Sequence, residues 1–172
     1  PFMMISFRSF PGIWKEQYNS LMLSMEAEIE AKIEDSGDPL ATSMIYARIG
    51  NYIDFGAMNH VDQSELLRLL EEESRVELDR ETYEAFCEEC AGAKHFVLLC
   101  DNCGEIVLDK LFVRQLKKRF PQLEVAAMVR GEPVLNDATI EDAVFSGMDK
   151  EATLVSNGNG VAGTVVELLS TQ

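Results

Sequence analysis

Basic residues are scarce in this sequence of 172 residues, in which 15 Lys and Arg stand against 30 Asp and Glu and the formal net charge is -15 at pH 7. Recognition of a phosphate backbone needs a stripe of basic side chains, so we expect no binding of nucleic acid. The same shortage of positive charge disfavours an anionic membrane surface as a partner. The composition therefore excludes the two commonest polyanionic partners.

Long apolar runs are missing as well. No stretch approaches the ~20 apolar residues that a transmembrane helix requires. The first residues lack a basic region and a small-residue cleavage site, so we expect no signal peptide. Four cysteines without a secretion signal favour a reducing compartment, and we expect a cytoplasmic protein.

Several signatures of common enzymes are absent. The sequence has neither the Gly-x-Gly-x-x-Gly turn of a dinucleotide site nor a Walker A loop. Its only histidines are His60 and His95, which disfavours a catalytic triad built on histidine. Asp-x-Asp, the arrangement of phosphatases that form an aspartyl phosphate, is missing because Cys103 stands where the second Asp would be. Asp101 is therefore expected to act as a metal ligand rather than as a covalent nucleophile.

The residues that are present divide the chain into two parts. Residues 1–93 carry a net charge of -12 and residues 94–172 a net charge of -3. In the first part, apolar residues recur every three or four positions, as one face of a helix requires. This pattern predicts an all-helical subdomain over residues 1–93. Its expected helices are Trp14–Ile33, Pro39–Ile49 with Asp38 as the N-cap, Leu66–Leu70 and Glu81–Cys90.

The second part, residues 94–172, alternates short apolar runs with helical patterns. This β-α-β-α-β-α order is typical of a parallel sheet wrapped by helices. The predicted strands are His95–Cys100, Leu123–Val129 and Ala152–Ser156. The predicted helices are Val107–Arg119, with Lys117–Arg119 in its last turn, Thr139–Gly147 and Thr164–Leu169.

Polar loops follow all three predicted strands, at residues 101–105, 130–137 and 157–160. In an open α/β sheet, ligands bind beyond the carboxyl ends of the strands, so these loops should meet at one edge. Asp101, Asn102 and Asp137 offer hard oxygen ligands suited to Mg²⁺ or Mn²⁺. The loop 157–160 leads into a predicted helix N-terminus, whose free N–H groups favour a phosphate. Together these features predict metal-assisted phosphoryl chemistry.

The cysteines suggest an alternative, because two Cys-x-x-Cys pairs begin at Cys87 and Cys100. Structural zinc sites usually place ~15–20 residues between their two halves, and the spacing here is shorter. We therefore favour small apolar side chains that pack in the core over a zinc site.

Four segments resemble the metal-dependent damage-control phosphatases, a family also named after a proposed human acidic-residue methyltransferase. They are Leu99–Asp109, Arg130–Thr139, Val155–Gly158 and Arg48–Gly56. The resemblance implies an α/β fold in which the N-terminal all-helical subdomain packs on a three-layer α/β/α (Rossmann-like) parallel-sheet core. Family members continue into strands that supply a phosphate-binding lysine, so we expect the core over 94–172 to be C-terminally incomplete.

The same resemblance implies the roles of individual residues. Asp101, Asn102 and Asp137 would hold a divalent metal, either Mn²⁺, Ni²⁺, Co²⁺ or Mg²⁺. The residues expected to contact the substrate are Asn51, Asp54, Arg130, Asn157 and Gly158. Glu105 or Asp101 would position the attacking water, and the sequence does not choose between them. The implied function is hydrolysis of small phosphorylated metabolites such as sugar phosphates.

Two other functions remain open at this stage. One is a non-catalytic module that binds a metal or a metabolite. The other is a carboxyl methyltransferase that uses S-adenosylmethionine, which the family's second name suggests and the absent Gly-rich turn disfavours.

Overall fold

The computed structural model of the protein describes residues 11–52, 63–73 and 78–160, and contains helices around a short parallel sheet. The helices are α1 Pro11–Glu34, α2 Pro39–Tyr52, α3 Gln63–Glu73, α4 Arg80–Gly92, α5 Glu105–Arg119 and α6 Ile140–Ser146. The strands are β1 His95–Leu99, β2 Glu124–Val129 and β3 Thr153–Ser156. The α/β architecture expected from the sequence is confirmed. The predicted helix Thr164–Leu169 lies outside the described residues.

Local capping signals place several helix ends where the sequence predicts them. The Asp38 carboxylate accepts a hydrogen bond from the Ala41 N–H at 3.2 Å, as an N-cap does at the start of α2. Thr139 and Asp142 form a reciprocal capping box at the start of α6. Three basic residues, Lys117–Arg119, occupy the last turn of α5, where they complement the helix dipole.

The sheet has the order β1-β2-β3, and both pairs of neighbours are parallel. Parallel strands end at the same edge, so the loops that follow them are brought together. The core-facing side chains of β2 are Val125, Ala127 and Val129, all buried. On the opposite face of the sheet, Val97 and Leu99 of β1 are 54% and 60% exposed.

Helix α5 is the centre of the molecule, and eleven of its fifteen residues are buried. Seven of these eleven residues are apolar, and they divide between two core clusters on different sides of the helix. Phe112 and Val113 pack with the sheet, whereas Leu108 and Leu111 pack with α1, α2 and α3. Helices α1 and α3 therefore reach the sheet through α5, whereas residues of α2 and α4 also belong to the cluster that packs with the sheet. A division of the chain at residue 93 stays a prediction.

Close approach and ion pairs fix the helices around α5. At Gly50 of α2, an added Cβ would lie 2.9 Å from Leu108 Cδ1 and 3.4 Å from the Glu105 Cα, so the two helices nearly touch. Arg114 of α5 binds Glu30 of α1 at 2.7 Å and Glu151, which precedes β3, at 2.9 Å. Among the helices described, none has the length and apolarity needed to cross a bilayer.

Candidate functional site

The loops that follow β1 and β2 are joined through their backbones at the carboxyl edge of the sheet. The Ala138 N–H donates to the Asp101 carbonyl at 2.7 Å, and the Cys103 N–H donates to the Asn136 carbonyl at 2.8 Å. Asn102 and Asp137 face each other in an antiparallel bridge between these two bonds. The structure thus brings together the three residues for which we predict a metal.

Glu105, in the first turn of α5, and Asn51, near the end of α2, lie beside these three residues. The Glu105 carboxylate accepts hydrogen bonds from the Asn102 backbone N–H at 3.2 Å and from the Asn102 side-chain amide at 2.9 Å. The Asn51 amide donates to Glu105 at 3.2 Å and to Asp101 at 3.3 Å. Asn51 therefore links helix α2 to both carboxylates, and this is the side from which we predict substrate contact.

The protonation of Glu105 depends on two opposing effects. Burial raises the pKa of this carboxyl because the charged form loses solvation, and the hydrogen bonds from Asn102 and Asn51 partly offset that effect. Glu105 lies in the first turn of α5, where the helix dipole also favours a negative charge. Gly104 precedes it with φ of 86°, a conformation that glycine adopts without strain.

Asp137 is engaged by a partner that the sequence analysis does not assign to it. The Arg130 guanidinium donates from Nε to Asp137 Oδ2 at 2.7 Å, and both side chains are buried. A hydrogen bond of this kind orients a carboxylate that binds a metal through its other oxygen. Arg130 thus acts here on a predicted metal ligand, and its contact with a substrate stays a prediction.

The loop after β3 uses its polar groups internally. Asn157 Oδ1 accepts from the Gly131 N–H at 2.8 Å and from the Asn159 N–H at 3.2 Å. The Gly158 N–H donates to the Ser156 hydroxyl at 3.0 Å, and Gly158 has φ of 79°. Two amides of the expected phosphate cradle are therefore already bonded. Asp54, the remaining predicted substrate contact, lies outside the described residues.

Sequence reasoning missed two polar residues of α1, Lys15 and Asn19. Lys15 Nζ donates to the Asp137 carbonyl at 2.5 Å, and Asn19 Oδ1 accepts from the Gly104 N–H at 2.7 Å. The sequence does contain a sign of their burial. Both residues are three or four positions from the next residue of the buried helix face that includes Met22, Met25 and Ile29. Polar residues that continue a buried stripe indicate buried partners.

Asp109, one turn after Glu105 on α5, was also missed. Its side chain is buried, and its Oδ2 has no hydrogen-bond partner among the described residues. Burial and the neighbouring Glu105 carboxylate raise its pKa well above the ordinary value. Asp109 borders a cleft of about 330 Å³ between α2, β1 and α5, which Asn51 and Glu105 also line.

The cysteines behave as packed side chains. All four are free thiols, and Cys90 and Cys103 belong to the hydrophobic core. Burial and the nearby Asp142 carboxylate raise the pKa of Cys103 to about 12, and burial likewise raises that of Cys100. Such thiols stay protonated at neutral pH in the metal-free protein, as expected of small side chains packed in a core.

The donor set at the sheet edge fits a hard divalent cation. The described part of the chain holds no group of three or more His, Cys, Asp or Glu side chains arranged for a metal, so a site built on Asp101 and Asp137 would need an amide oxygen as a further protein ligand. The Asn102 amide nitrogen is committed to Glu105, which leaves its oxygen available as a ligand. Asp101, Asn102 and Asp137 would then supply two carboxylates and one amide oxygen.

Comparison with known proteins places this architecture among relatives. The chain is 37% identical over 145 residues to a damage-control phosphatase of Archaeoglobus fulgidus, covering 80% of this chain and 47% of the relative. It is 28% identical over 126 residues to a damage-control phosphatase of Pyrococcus horikoshii, covering 72% and 42%. The chain spans about half the length, or less, of these curated relatives.

A solved structure shares the fold. The crystal structure of a DUF89 family protein from Pyrococcus horikoshii matches with a TM-score of 0.74 at 24% identity, over 90% of this chain and 53% of that one. The model of the damage-control phosphatase ARMT1-like domain matches residues 13–172. The chain therefore belongs to the family of the damage-control phosphatase ARMT1-like domain.

Proposed function

We propose that the protein is a metal-dependent phosphatase that acts on small phosphorylated metabolites such as sugar phosphates. The observation that carries this proposal is the juxtaposition of Asp101, Asn102 and Asp137 across the bridge between two neighbouring loops. The names of the relatives from Archaeoglobus and Pyrococcus support phosphatase chemistry in the family.

In this proposal the two carboxylates and the amide oxygen would hold Mn²⁺, Ni²⁺, Co²⁺ or Mg²⁺. The bound cation would supply Lewis-acid polarisation of a phosphoryl oxygen and a water of lowered pKa. Arg130 keeps the Asp137 carboxylate in one orientation, and Asn102 is kept in place by Glu105. Preorganised ligands of this kind need no rearrangement during the reaction.

The substrate would enter from the side of Asn51 and Glu105. Asn51 offers an amide beside the two acidic groups, and the cleft next to it has room for a small ligand. Asp54, Arg130, Asn157 and Gly158 complete the proposed substrate contacts. Glu105 and Asp101 both remain candidates to position the water. Net charge does not oppose an anionic substrate here, because a bound divalent cation reverses the local sign.

The test uses the full-length protein with p-nitrophenyl phosphate and a panel of sugar phosphates. We expect hydrolysis with Mn²⁺, Ni²⁺, Co²⁺ or Mg²⁺ and none in EDTA. Asp101→Ala and Asp137→Ala should each lower kcat/KM by about 100-fold or more, since each removes a ligand that the proposed chemistry requires. The exposed Asp149, near the opposite edge of the sheet, provides the matched control Asp149→Ala.

Two results would overturn the proposal. Unchanged turnover in both Asp101→Ala and Asp137→Ala would remove these residues from the chemistry. Metal binding by the wild type without turnover of any phosphate ester would instead favour a non-catalytic binding module.

A further inference from the structure

Helix α1 directs two buried polar side chains at the loops of the candidate metal site. Lys15 is 5% exposed and Asn19 is 0% exposed, and their spacing of four residues puts them on the same helix face. Burying an ammonium and an amide is costly unless both are bonded. The hydrogen bonds that Lys15 and Asn19 form with the two loops therefore explain why both can be buried.

Lys15 binds the loop that carries Asp137. Its ammonium donates to the Asp137 carbonyl at 2.5 Å and lies 3.4 Å from the Asp142 carboxylate. Asp142 in turn accepts from the Thr139 N–H at 3.0 Å and from the Thr139 hydroxyl at 2.8 Å. The Lys15 ammonium thus contacts the backbone of Asp137, a proposed metal ligand, and the carboxylate of Asp142, which caps helix α6.

Asn19 binds the other loop. Its oxygen accepts from the Gly104 N–H at 2.7 Å, two residues after Asn102. Its nitrogen lies 3.5 Å from Asp142 Oδ1, on the side of the second loop. Asn19 therefore links the first loop to the first turn of α6, the helix that follows the second loop.

We propose that Lys15 and Asn19 are positioning residues that set the distance between the loop with Asp101 and Asn102 and the loop with Asp137. This inference rests on the proposed function, because the distance matters for a shared metal. Lys15 contacts the Asp137 carbonyl and leaves the carboxylate to Arg130. It thus fixes the ligand without occupying the oxygens that a cation would need.

Electrostatics and positioning make opposite predictions for the removal of this ammonium. A fixed positive charge near a cation site repels the cation, so its loss would strengthen metal binding if charge alone mattered. Loss of a group that orients a ligand weakens binding, typically by 10–100-fold. The direction of the change therefore distinguishes the two roles.

The experiment is calorimetric titration of the full-length protein with Mn²⁺ in the absence of substrate. Lys15→Met keeps the aliphatic stem and removes the ammonium, and we expect the Kd for Mn²⁺ to rise 10–100-fold. Lys15→Arg, which retains a charged donor, should recover most of the affinity. Lys32→Met is the matched control, because Lys32 lies on α1 and pairs with Glu71 away from the site.

A second variant protects the test against misfolding. Asn19→Ser acts on the other loop and should weaken Mn²⁺ binding in the same direction. Circular dichroism and melting without metal report whether each variant is folded, and a merely structural role would change melting but not the Kd of the folded protein. An unchanged or lowered Kd in folded Lys15→Met and Asn19→Ser overturns the inference, while the proposed function survives if the wild type binds Mn²⁺. If the wild type binds none of Mn²⁺, Ni²⁺, Co²⁺ and Mg²⁺, both the inference and the proposed function are overturned.

Discussion

Single residues at the site show why buried acids here differ from one another. Asp137 forms an ion pair with Arg130, whereas Asp109 has one carboxylate oxygen without a partner among the described residues. An uncompensated carboxylate in a buried position is costly, and proton uptake lowers that cost. Asp109 is therefore expected to stay protonated further into the neutral range than an ordinary Asp.

Asp109 accordingly predicts a dependence of stability on pH. Because its pKa is raised in the folded protein, its contribution is fully present below the unfolded pKa and is lost as the pH rises through the folded-state pKa. Asp109→Asn cannot ionise and should remove this loss. We expect the variant to gain on the order of 1–3 kcal/mol in free energy of unfolding relative to the wild type at high pH, and less at pH 5.

Urea unfolding in EDTA at pH 5 and at pH 8 checks this expectation. The exposed Asp149→Asn serves as the control. Glu105, whose pKa is also raised, is present in all the proteins compared, and its coupling to Asp109 is part of the measured difference. A constant difference between Asp109→Asn and the wild type across this pH range would contradict the assignment.

At the scale of elements, the contact of α2 with α5 determines where Asn51 lies. Gly50 precedes Asn51 and faces Leu108 and the Glu105 backbone at distances that leave no room for a branched side chain. A larger residue would separate the helices and move the Asn51 amide from Glu105. The missing side chain at Gly50 therefore allows both the close packing of α2 on α5 and the position of Asn51 next to Glu105.

Gly50→Val should lower the free energy of unfolding by about 1–3 kcal/mol, because overpacking displaces neighbouring backbone. It should also lower the proposed phosphatase activity by more than the folded fraction accounts for. Chemical denaturation and turnover at a temperature where the variant is folded measure the two effects. Gly92→Ala in α4, where an added Cβ meets nothing within 4 Å, should be neutral or slightly stabilising. Equal effects of the two substitutions would argue against the close contact.

At the scale of the whole molecule, the acidic charge is spread unevenly along the chain. A separate consequence of the proposed site is that a bound cation should stabilise the fold. Net charge is -12 over residues 1–93 and -3 over residues 94–172, so most of the excess lies outside the α/β part. The proposed ligands come from loops after two different strands, so a bound metal would join both. Ligands that bind only the folded state raise its stability.

We therefore expect Mn²⁺ to raise the melting temperature of the wild type in a concentration-dependent way. Saturation at 100 times the Kd corresponds to about 2.7 kcal/mol of stabilisation. Differential scanning calorimetry measures the shift, EDTA should reverse it, and Asp101→Ala should abolish it while Asp149→Ala retains it. A shift of the same size in Asp101→Ala would place the binding elsewhere.

Much of the local structure was determined by the sequence itself. Periodicity and caps predicted α2 from Pro39, α6 after Thr139 and the three strands, because these signals act between residues a few positions apart. The polar loops that meet at one sheet edge were also predictable, since parallel strands end together. The resemblance to the phosphatase family added the residues of the helical side, of which Asn51 lies beside Asp101 and Glu105.

The tertiary structure alone decided which partners the buried polar groups have. Lys15 and Asp137 are 122 residues apart, and nothing in the periodicity of α1 indicates which loop its polar residues meet. The pairing of Arg130 with Asp137 and the internal use of Asn157 likewise depend on loop geometry. Burial can be read from a repeating pattern, but a partner depends on how distant elements pack, and that packing is settled by the whole core at once.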